Sequence, residues 1–240
     1  MLKHVFLLAG LLSAILVSCS TTAPVVPTVP ATVVYFSDHE QGSEAYRTRM
    51  IVSAGYLRMD DGEDGRNFLL FDRADGTIYS VSSGDRQVLV MHRRRVDIEP
   101  PIRLIRHVVV DTAPFPAVGG HEVAHYELMT NRQRCYDLFA ADGLLPDVVV
   151  ALRQYHAALA GQQAATLAVT PPEFQSPCDM DNNVFSPVRQ LDYGFPVRLV
   201  DMTGRTTQLL NYKTGFHASA DLFKLPPDYQ RSTLDQLRSK

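Results

Sequence analysis

Apolar and polar residues alternate in short segments along most of the chain, and turn residues separate these segments. An alternation with a period of two is typical of antiparallel strands. The connections between the first six segments are rich in glycine, aspartate and serine, which favour tight turns. The pattern therefore predicts a meander of strands at residues 32–37, 46–53, 56–60, 67–72, 77–81, 87–92, 104–111, 121–130, 133–141, 195–202 and 206–212.

Residues 46–53 show the alternation most clearly. Tyr46 and Met50 fall on one face of the predicted strand, whereas Arg47 and Arg49 fall on the other. This arrangement predicts a half-buried strand, with one face in the core and the other in solvent.

The period of the pattern changes after Pro146, a residue that suits the first turn of a helix. Four apolar residues recur at helical spacing on one face, namely Val148, Leu152, Tyr155 and Leu159. A helix is therefore predicted at residues 146–165, and Gly161 is the residue that least favours the helix in its last turn. Residues 170–187 are predicted as a proline-bounded loop, and residues 222–227 as a short segment before the C-terminal tail.

The N-terminal segment is typical of an exported chain. Lys3 precedes an apolar run of thirteen residues, 5–17, which is too short to cross a bilayer because a spanning helix needs about 20. It is therefore predicted to be a signal segment. The run ends in Leu16-Val17-Ser18-Cys19, which resembles the lipobox of bacterial lipoproteins. The alternative is a buried N-terminal helix with Cys19 in the core.

The lipobox resemblance implies that residues 1–18 are a signal peptide, that the mature chain starts at Cys19, and that this cysteine carries acyl chains such as palmitate. Ser20 in the second mature position implies delivery to the outer membrane, with the domain facing the periplasm. Several acyl chains anchor a protein stably. Residues 19–30 are rich in proline, threonine and valine and are predicted to be a tether of about 30 Å, or else a poorly ordered edge segment. Residues 31–240 are predicted to form a single domain.

The composition of the chain bears on nucleic-acid binding and on disulfide formation. Removal of the signal peptide takes away Lys3 and leaves 22 basic and 26 acidic residues, a net charge of about −4 that does not suggest binding to nucleic acid. The chain has three cysteines, and once Cys19 is assigned to the lipobox, Cys135 and Cys178 are left. Because an exported chain meets an oxidising compartment, these two are predicted to form a disulfide bond. The bond would close a loop of about 44 residues and stabilise the fold by about 4 kcal/mol.

Four stretches resemble the small periplasmic proteins that share the LolA/LolB-type half-barrel. They are residues 46–50, 55–60, 119–126 and 222–229. The resemblance implies a mainly β fold in which a curved, incompletely closed antiparallel sheet has a helix plugging its open side, with an apolar cavity between them. It also implies a non-enzymatic role, either in binding a lipid or acyl chain or in chaperoning an envelope component. The alternative is an envelope scaffold that binds no ligand.

The segment His121-Glu122-Val123-Ala124-His125 matches the zinc peptidase pattern H-E-x-x-H. That chemistry needs a helix, which places both histidines on one face to hold the metal while the glutamate acts as general base. Gly119 and Gly120 precede the motif and the following residues alternate, so a strand is predicted instead. In a strand the two histidines lie about 13 Å apart and cannot share one ion. No catalytic residue, metal site or cofactor is therefore predicted, and a zinc peptidase remains the enzymatic alternative.

Three charged clusters complete the candidate list. The acidic residues at 60–65 and the group Asp179, Asp181 and Asn183 lack the ligand spacing of a calcium loop and are predicted to be polar turns. The run Arg93, Arg94 and Arg95 is a candidate contact for anionic lipid headgroups, which would add about 1 kcal/mol per charge. A solvated strand end is its alternative.

Overall fold

The computed structural model describes residues 27–238. Within this range the chain forms one mixed sheet of twelve strands and one long helix. The strands are β1 (Thr28–His39), β2 (Tyr46–Ser53), β3 (Tyr56–Asp60), β4 (Phe68–Asp72), β5 (Ile78–Ser82), β6 (Gln87–Met91), β7 (Arg106–Asp111), β8 (Val123–Thr130), β9 (Gln133–Ala141), β10 (Phe195–Asp201), β11 (Thr206–Ser219) and β12 (Gln230–Thr233). The helices are α1 (Pro146–Leu167), α2 (Pro177–Met180) and α3 (Leu234–Arg238).

The sheet is a half-barrel that does not close. Its strand order is β12-β6-β5-β4-β3-β2-β1-β11-β10-β9-β8-β7, so β12 and β7 are its edges. All neighbouring strands are antiparallel except β12, which runs parallel to β6. Helix α1 contacts β2, β3, β5 and β10, and so lies across the face between the two halves of the sheet. The predicted class, a mainly β open sheet with one major helix, is confirmed.

Local periodicity located most elements accurately. Strands β2, β3 and β9 have the predicted bounds, and α1 begins at the predicted Pro146 but ends two residues later than expected, at Leu167. Residues 170–187 were predicted as a loop, but they contain α2, a 3-10 turn at Pro172–Phe174 and a π-helical turn at Asp181–Phe185. These short helical turns lack the length over which an amphipathic pattern becomes visible.

Strands β1 and β11 are longer than predicted because they pair with each other along their whole length. Their register runs from Thr28↔Ser219 to His39↔Thr206. Strand β1 therefore begins inside the segment predicted as a tether. Pro30 is compatible with this strand because pairing with β2 begins only at Ala31, so the proline lies outside that ladder.

Both faces of the sheet are covered. On the inner face, α1 packs on a core that includes Val34, Leu57 and Phe71. On the outer face, residues 222–229 cover a second core around Ile51, and a third, smaller core surrounds Leu138.

The prediction that β2 is a half-buried strand is wrong for its second half. Met50, Ile51, Val52 and Ser53 are all buried, on alternating faces. Only the first half of β2 keeps an exposed side. The sequence pattern missed this because the C-terminal segment that covers the outer face is remote along the chain.

Gly161 is buried inside α1, and the helix continues past it to Leu167. The segment after β6 crosses the helix at this point, where the Nε2 atom of Gln162 donates a hydrogen bond to the carbonyl oxygen of His92 at 2.7 Å. A Cβ atom at position 161 would lie 2.2 Å from the carbonyl oxygen of Arg94. Glycine is therefore required by close packing of two backbones.

Candidate ligand-binding cleft

The space between α1 and the sheet is filled. Val148, Ala151 and Leu152 of the helix are buried against Leu57, Phe71 and other side chains of the inner face. The apolar cavity that the half-barrel resemblance implied at this position is therefore occupied by the chain's own side chains.

An open cleft is present beside the helix, where the sheet splits. Strands β10 and β11 pair over only three residues, from Arg198↔Gln208 to Val200↔Thr206. On the N-terminal side of Arg198, β10 pairs with β9 but not with β11. On the C-terminal side of Gln208, β11 continues beside β1 as far as Ser219. Because each strand follows a different neighbour, the two separate and leave a gap between them.

The gap forms a cleft of about 400 Å³. Residues of several strands and one loop line it, namely Phe115, Pro116, Val118, Val123, Phe139, Val197, Arg198, Gln208, Leu209, Leu210, Asn211 and Tyr212. Most of these residues are apolar or aromatic. The cleft is therefore suited to an apolar ligand of modest size, since pockets for small molecules have volumes of about 300–1,000 Å³.

The loop between β7 and β8 covers one side of the cleft. The ring of Phe115 packs edge-on against Phe139, with 5.0 Å between centroids. Gly119 has a φ of 58° and lies so close to Tyr212 that a Cβ atom would be 2.0 Å from the tyrosine hydroxyl oxygen. The loop can reach β11 only because this position has no side chain.

Arg198 is the one cationic residue in the lining. It is half-buried, and its guanidinium carbon lies 5.6 Å from the centroid of the Phe139 ring. Gln208 faces it from β11. The cleft thus has a polar end at the last pair of the β10–β11 ladder and an apolar remainder.

The H-E-x-x-H segment does not form a helix. His121 lies in a turn, where it bridges to Val118 and its Nδ1 atom is 2.9 Å from the carbonyl oxygen of Asp142. Glu122 is exposed, and His125 lies within β8. The strand predicted here is confirmed, although it begins at Val123. Between residues 27 and 238, no group of three or more His, Cys, Asp or Glu side chains could hold a metal ion.

His125 is part of the wall next to the cleft. Its ring stacks on Phe139 with 4.4 Å between centroids, and its Nε2 atom lies 2.9 Å from Oδ1 of Asp137. Its Nδ1 atom lies 3.5 Å from Asp111. A backbone hydrogen bond from Ala113, together with His125, lowers the pKa of the Asp111 carboxyl. These contacts fix the position of the Phe139 ring.

The predicted disulfide bond between Cys135 and Cys178 is confirmed. Their Cα atoms are 5.1 Å apart, and both side chains are buried. Cys135 lies where the β8–β9 register shifts, between the pairs Leu128↔Tyr136 and Met129↔Arg134. The bond therefore attaches α2 to β9.

Asp60, the first of the acidic residues predicted to form a polar turn, is the last residue of β3 and, unlike a turn residue in solvent, is buried. It accepts hydrogen bonds from Nε of Arg58 at 2.6 Å and from Nε of Arg49 at 2.8 Å. Burial alone would raise the pKa of Asp60, but the hydrogen bonds from Arg49 and Arg58 lower it overall. Arg58 also donates to the carbonyl oxygen of Leu222 at 2.7 Å, which ties the C-terminal cover to the sheet.

Asp181 was likewise predicted to be in a polar turn and is fully buried. It accepts hydrogen bonds from Thr130, Arg189 and Arg106 at 2.7–2.8 Å. Burial alone would raise the pKa of its carboxyl, whereas Arg106, Thr130 and Arg189 lower it overall. Sequence spacing could not reveal these clusters, because Arg106 and Thr130 are distant from Asp181 along the chain.

The basic run Arg93, Arg94 and Arg95 lies after β6 and is exposed. Arg94 forms an ion pair with Asp235, and the side chain of Arg93 packs on Gly76. Arg95 forms no ion pair within residues 27–238. At least one of the three charges is thus already neutralised by the protein.

The predicted signal peptide, the lipidation site Cys19 and most of the predicted tether lie outside the described residues. In the described part of the chain, none of the helices has the length and hydropathy needed to span a bilayer.

Comparison with known proteins shows similarity in structure only. No protein-family model and no curated protein matches the sequence. An uncharacterised conserved protein from Thermus thermophilus superposes with a TM-score of 0.45 at 9% identity, covering 85% of this chain and 90% of that one. PNGF-II superposes with a TM-score of 0.44 at 7% identity, and MucB with a TM-score of 0.37 at 10% identity. These superpositions cover 88% and 84% of this chain, which spans 33% of PNGF-II and 59% of MucB.

Proposed function

We propose that this chain is a non-enzymatic lipoprotein of the outer membrane, anchored through acylated Cys19, whose domain faces the periplasm and binds an apolar ligand such as a lipid or acyl chain. Binding would serve either to hold the ligand or to chaperone an envelope component. The observation that supports a binding role is the apolar cleft at the split between β10 and β11. The lipobox resemblance at residues 16–19 supports the anchor.

The placement of the cleft favours a linear, flexible ligand. An acyl chain could enter between two strands and lie against Val197 and Leu209, at the border of the core on which α1 packs. Burial of each methylene would contribute about 0.8 kcal/mol. The exposed Arg95 could meet anionic headgroups once the anchor holds the domain close to the membrane.

An envelope scaffold with no ligand is the second candidate. It is supported by the packed interface between α1 and the sheet, where the chain's own side chains fill the space. The two candidates differ in one measurable property, because a scaffold would not take up amphiphiles in the cleft.

Leu210→Asp tests the binding role. Leu210 lines the cleft and is 54% exposed, so aspartate places a charge in the apolar site with little loss of core packing. We expect photoactivatable dodecanol to label the cleft of the wild-type protein, and Leu210→Asp to weaken labelling about tenfold or more. The acylated full-length protein would be assayed in phosphatidylcholine nanodiscs, with the labelled residues located by mass spectrometry.

Val110→Asp is the matched control, since Val110 is also a strand residue, is 53% exposed and lies outside the cleft. Photoactivatable dodecanol should label the cleft of Val110→Asp to the same extent as that of the wild type. Equal labelling of Leu210→Asp and the wild type, or no labelling of the wild-type cleft, would contradict the binding role.

Cys19→Ala tests the anchor. Without the thiol no thioether can form, so the precursor should stay unprocessed and unlipidated, while the domain that starts at Thr28 keeps its fold. Envelope fractionation and intact-protein mass spectrometry would follow both effects. Ser13→Ala, in the same apolar segment, should be processed and sorted normally. If wild-type protein carries no acyl mass on Cys19, the anchor proposal is wrong.

A further inference from the structure

We propose that Arg198 makes the cleft selective for amphiphiles with an anionic headgroup, so that a carboxylate or phosphate pairs with its guanidinium while the apolar chain occupies the gap between β10 and β11. This inference rests on the proposed binding role and adds the chemical class of the ligand.

The position of Arg198 divides the cleft into two chemically different parts. Arg198 and Gln208 form the last pair of the short β10–β11 ladder. On the far side of this pair the strands separate, and the lining becomes apolar, with Val197 on β10 and Leu209 and Tyr212 on β11. A ligand with a polar head and an apolar tail matches this order of residues.

Arg198 has no carboxylate partner within residues 27–238. Its guanidinium instead lies over the Phe139 ring, which also lines the cleft. The nearby carboxylate of Asp137, two residues from Phe139 on β9, already contacts His125 and Arg134. By contrast, Arg205, at the other end of the β10–β11 hairpin, forms ion pairs with both Asp38 and Glu40. A half-buried guanidinium beside apolar side chains is thus left with its hydrogen-bond donors available.

Arginine is the side chain best suited to such a headgroup. Its planar fork presents parallel N–H donors that match a carboxylate or phosphate in two hydrogen bonds. The aromatic face beneath the guanidinium holds it in place without neutralising its charge. The partly apolar surroundings strengthen the pairing relative to bulk water.

A purely structural role for Arg198 has different consequences. If the residue only packs on Phe139, its replacement should alter stability equally with and without ligand, and headgroup chemistry should not matter. Selectivity between headgroups is therefore the property that separates the two roles.

The test uses photoactivatable dodecanoate, dodecyl phosphate and dodecanol, which share one chain length. Each would be titrated against the acylated full-length protein in phosphatidylcholine nanodiscs, and cleft labelling would be quantified by mass spectrometry. The proteins would be wild type, Arg198→Gln, Arg198→Lys and, as a matched control, Arg103→Gln, which removes an arginine outside the cleft. Because the membrane is the same throughout, partitioning of each amphiphile into the lipid cancels between variants, and concentrations are expressed as mole fractions in the lipid so that the three amphiphiles can also be compared with one another.

We expect the wild type to be half-labelled by the two anionic amphiphiles at concentrations about 10- to 100-fold lower than by dodecanol, since hydrogen bonds to a charged group contribute about 1.5–3 kcal/mol. Arg198→Gln should abolish that difference, so that the two anionic amphiphiles and dodecanol label this variant at similar concentrations. Arg198→Lys should retain part of it, because the charge remains but the fork is lost. Arg103→Gln should behave like the wild type. A preference between dodecanoate and dodecyl phosphate would identify the headgroup.

Equal labelling by all three amphiphiles in the wild type, unaffected by Arg198→Gln, would overturn this inference while leaving the binding role intact. Absence of cleft labelling by every amphiphile would overturn both. If Arg198→Gln fails to fold and also loses dodecanol labelling, the headgroup preference of the wild type and its reduction in Arg198→Lys decide the question.

Discussion

Replacement of Asp60 by alanine is expected to lower the free energy of unfolding by about 3–5 kcal/mol, because it leaves a buried arginine without its counterion. Arg58 is 1% exposed, and its Nε atom donates to the carboxylate of Asp60 at 2.6 Å. Arg49 donates to the same carboxylate through two nitrogen atoms, each at 2.8 Å. Denaturant titration of the full-length chain, followed by circular dichroism, would measure the loss.

Asp61→Ala is the matched control for this prediction. Asp61 is the next residue in the chain, is exposed, and faces Arg66 at 3.7 Å across solvent. Its removal takes away an exposed turn hydrogen bond from the backbone amide of Glu63 and a solvent-screened ion pair, and should change stability by no more than about 1 kcal/mol. Equal effects of the two substitutions would show that the Asp60 cluster is not the structural element that its burial indicates.

The same cluster determines an acid dependence of stability. The pKa of Asp60 in the folded state lies below its ordinary value of 3.8. Asp60 therefore stabilises the fold fully above the ordinary value, and this contribution is lost as the pH falls through the lowered pKa. Asp60→Asn should reduce the dependence of unfolding free energy on pH below about pH 4. An unchanged dependence would mean that Asp60 has the same pKa in the folded and unfolded chain.

Loss of the disulfide bond is the second change with a large expected effect. Cys135 and Cys178 are 43 residues apart, and constraint of the unfolded chain over a loop of this length contributes about 4 kcal/mol. The released segment includes α1 and leads directly to Asp181, so the cluster of Asp181 and Arg189 should also loosen. We expect Cys135→Ser to lower the unfolding free energy by this amount and to leave lipidation unchanged.

Denaturation with and without reductant measures this effect. Reductant should bring the wild type to the stability of Cys135→Ser and should leave the variant unaffected. If both thiols of the native, unreduced wild type react freely with an alkylating agent, the bond is absent and the attachment of α2 to β9 has no covalent support.

Local sequence patterns predicted the strands well because an antiparallel meander is built from neighbouring segments. Strands β2, β3 and β9 are bounded by turn residues that are visible in the sequence. Strand β12 was missed because it joins the sheet by parallel pairing with β6, a contact between residues that are remote in sequence. The extension of β11 to Ser219 was missed for the same reason, since it depends on β1.

The candidate site was less predictable than the fold. The sequence indicated an apolar cavity beneath the helix, whereas the apolar cleft described above lies where β10 and β11 separate. That separation follows from pairing partners and carries no local signal. The weak signals for the site were the Gly119-Gly120 pair, which allows the covering loop to approach Tyr212, and a basic residue, Arg198, in an otherwise apolar stretch of β10.

The central claim is that the cleft between β10 and β11 holds an apolar ligand in the cell. Native mass spectrometry of the wild-type protein, purified from its own envelope, tests this claim most directly. We predict one non-covalently bound lipid or acyl species per chain, in addition to the covalent acyl mass at Cys19. A spectrum that contains only the acylated polypeptide, under conditions that preserve a lipid complex of a known binding protein, would contradict it.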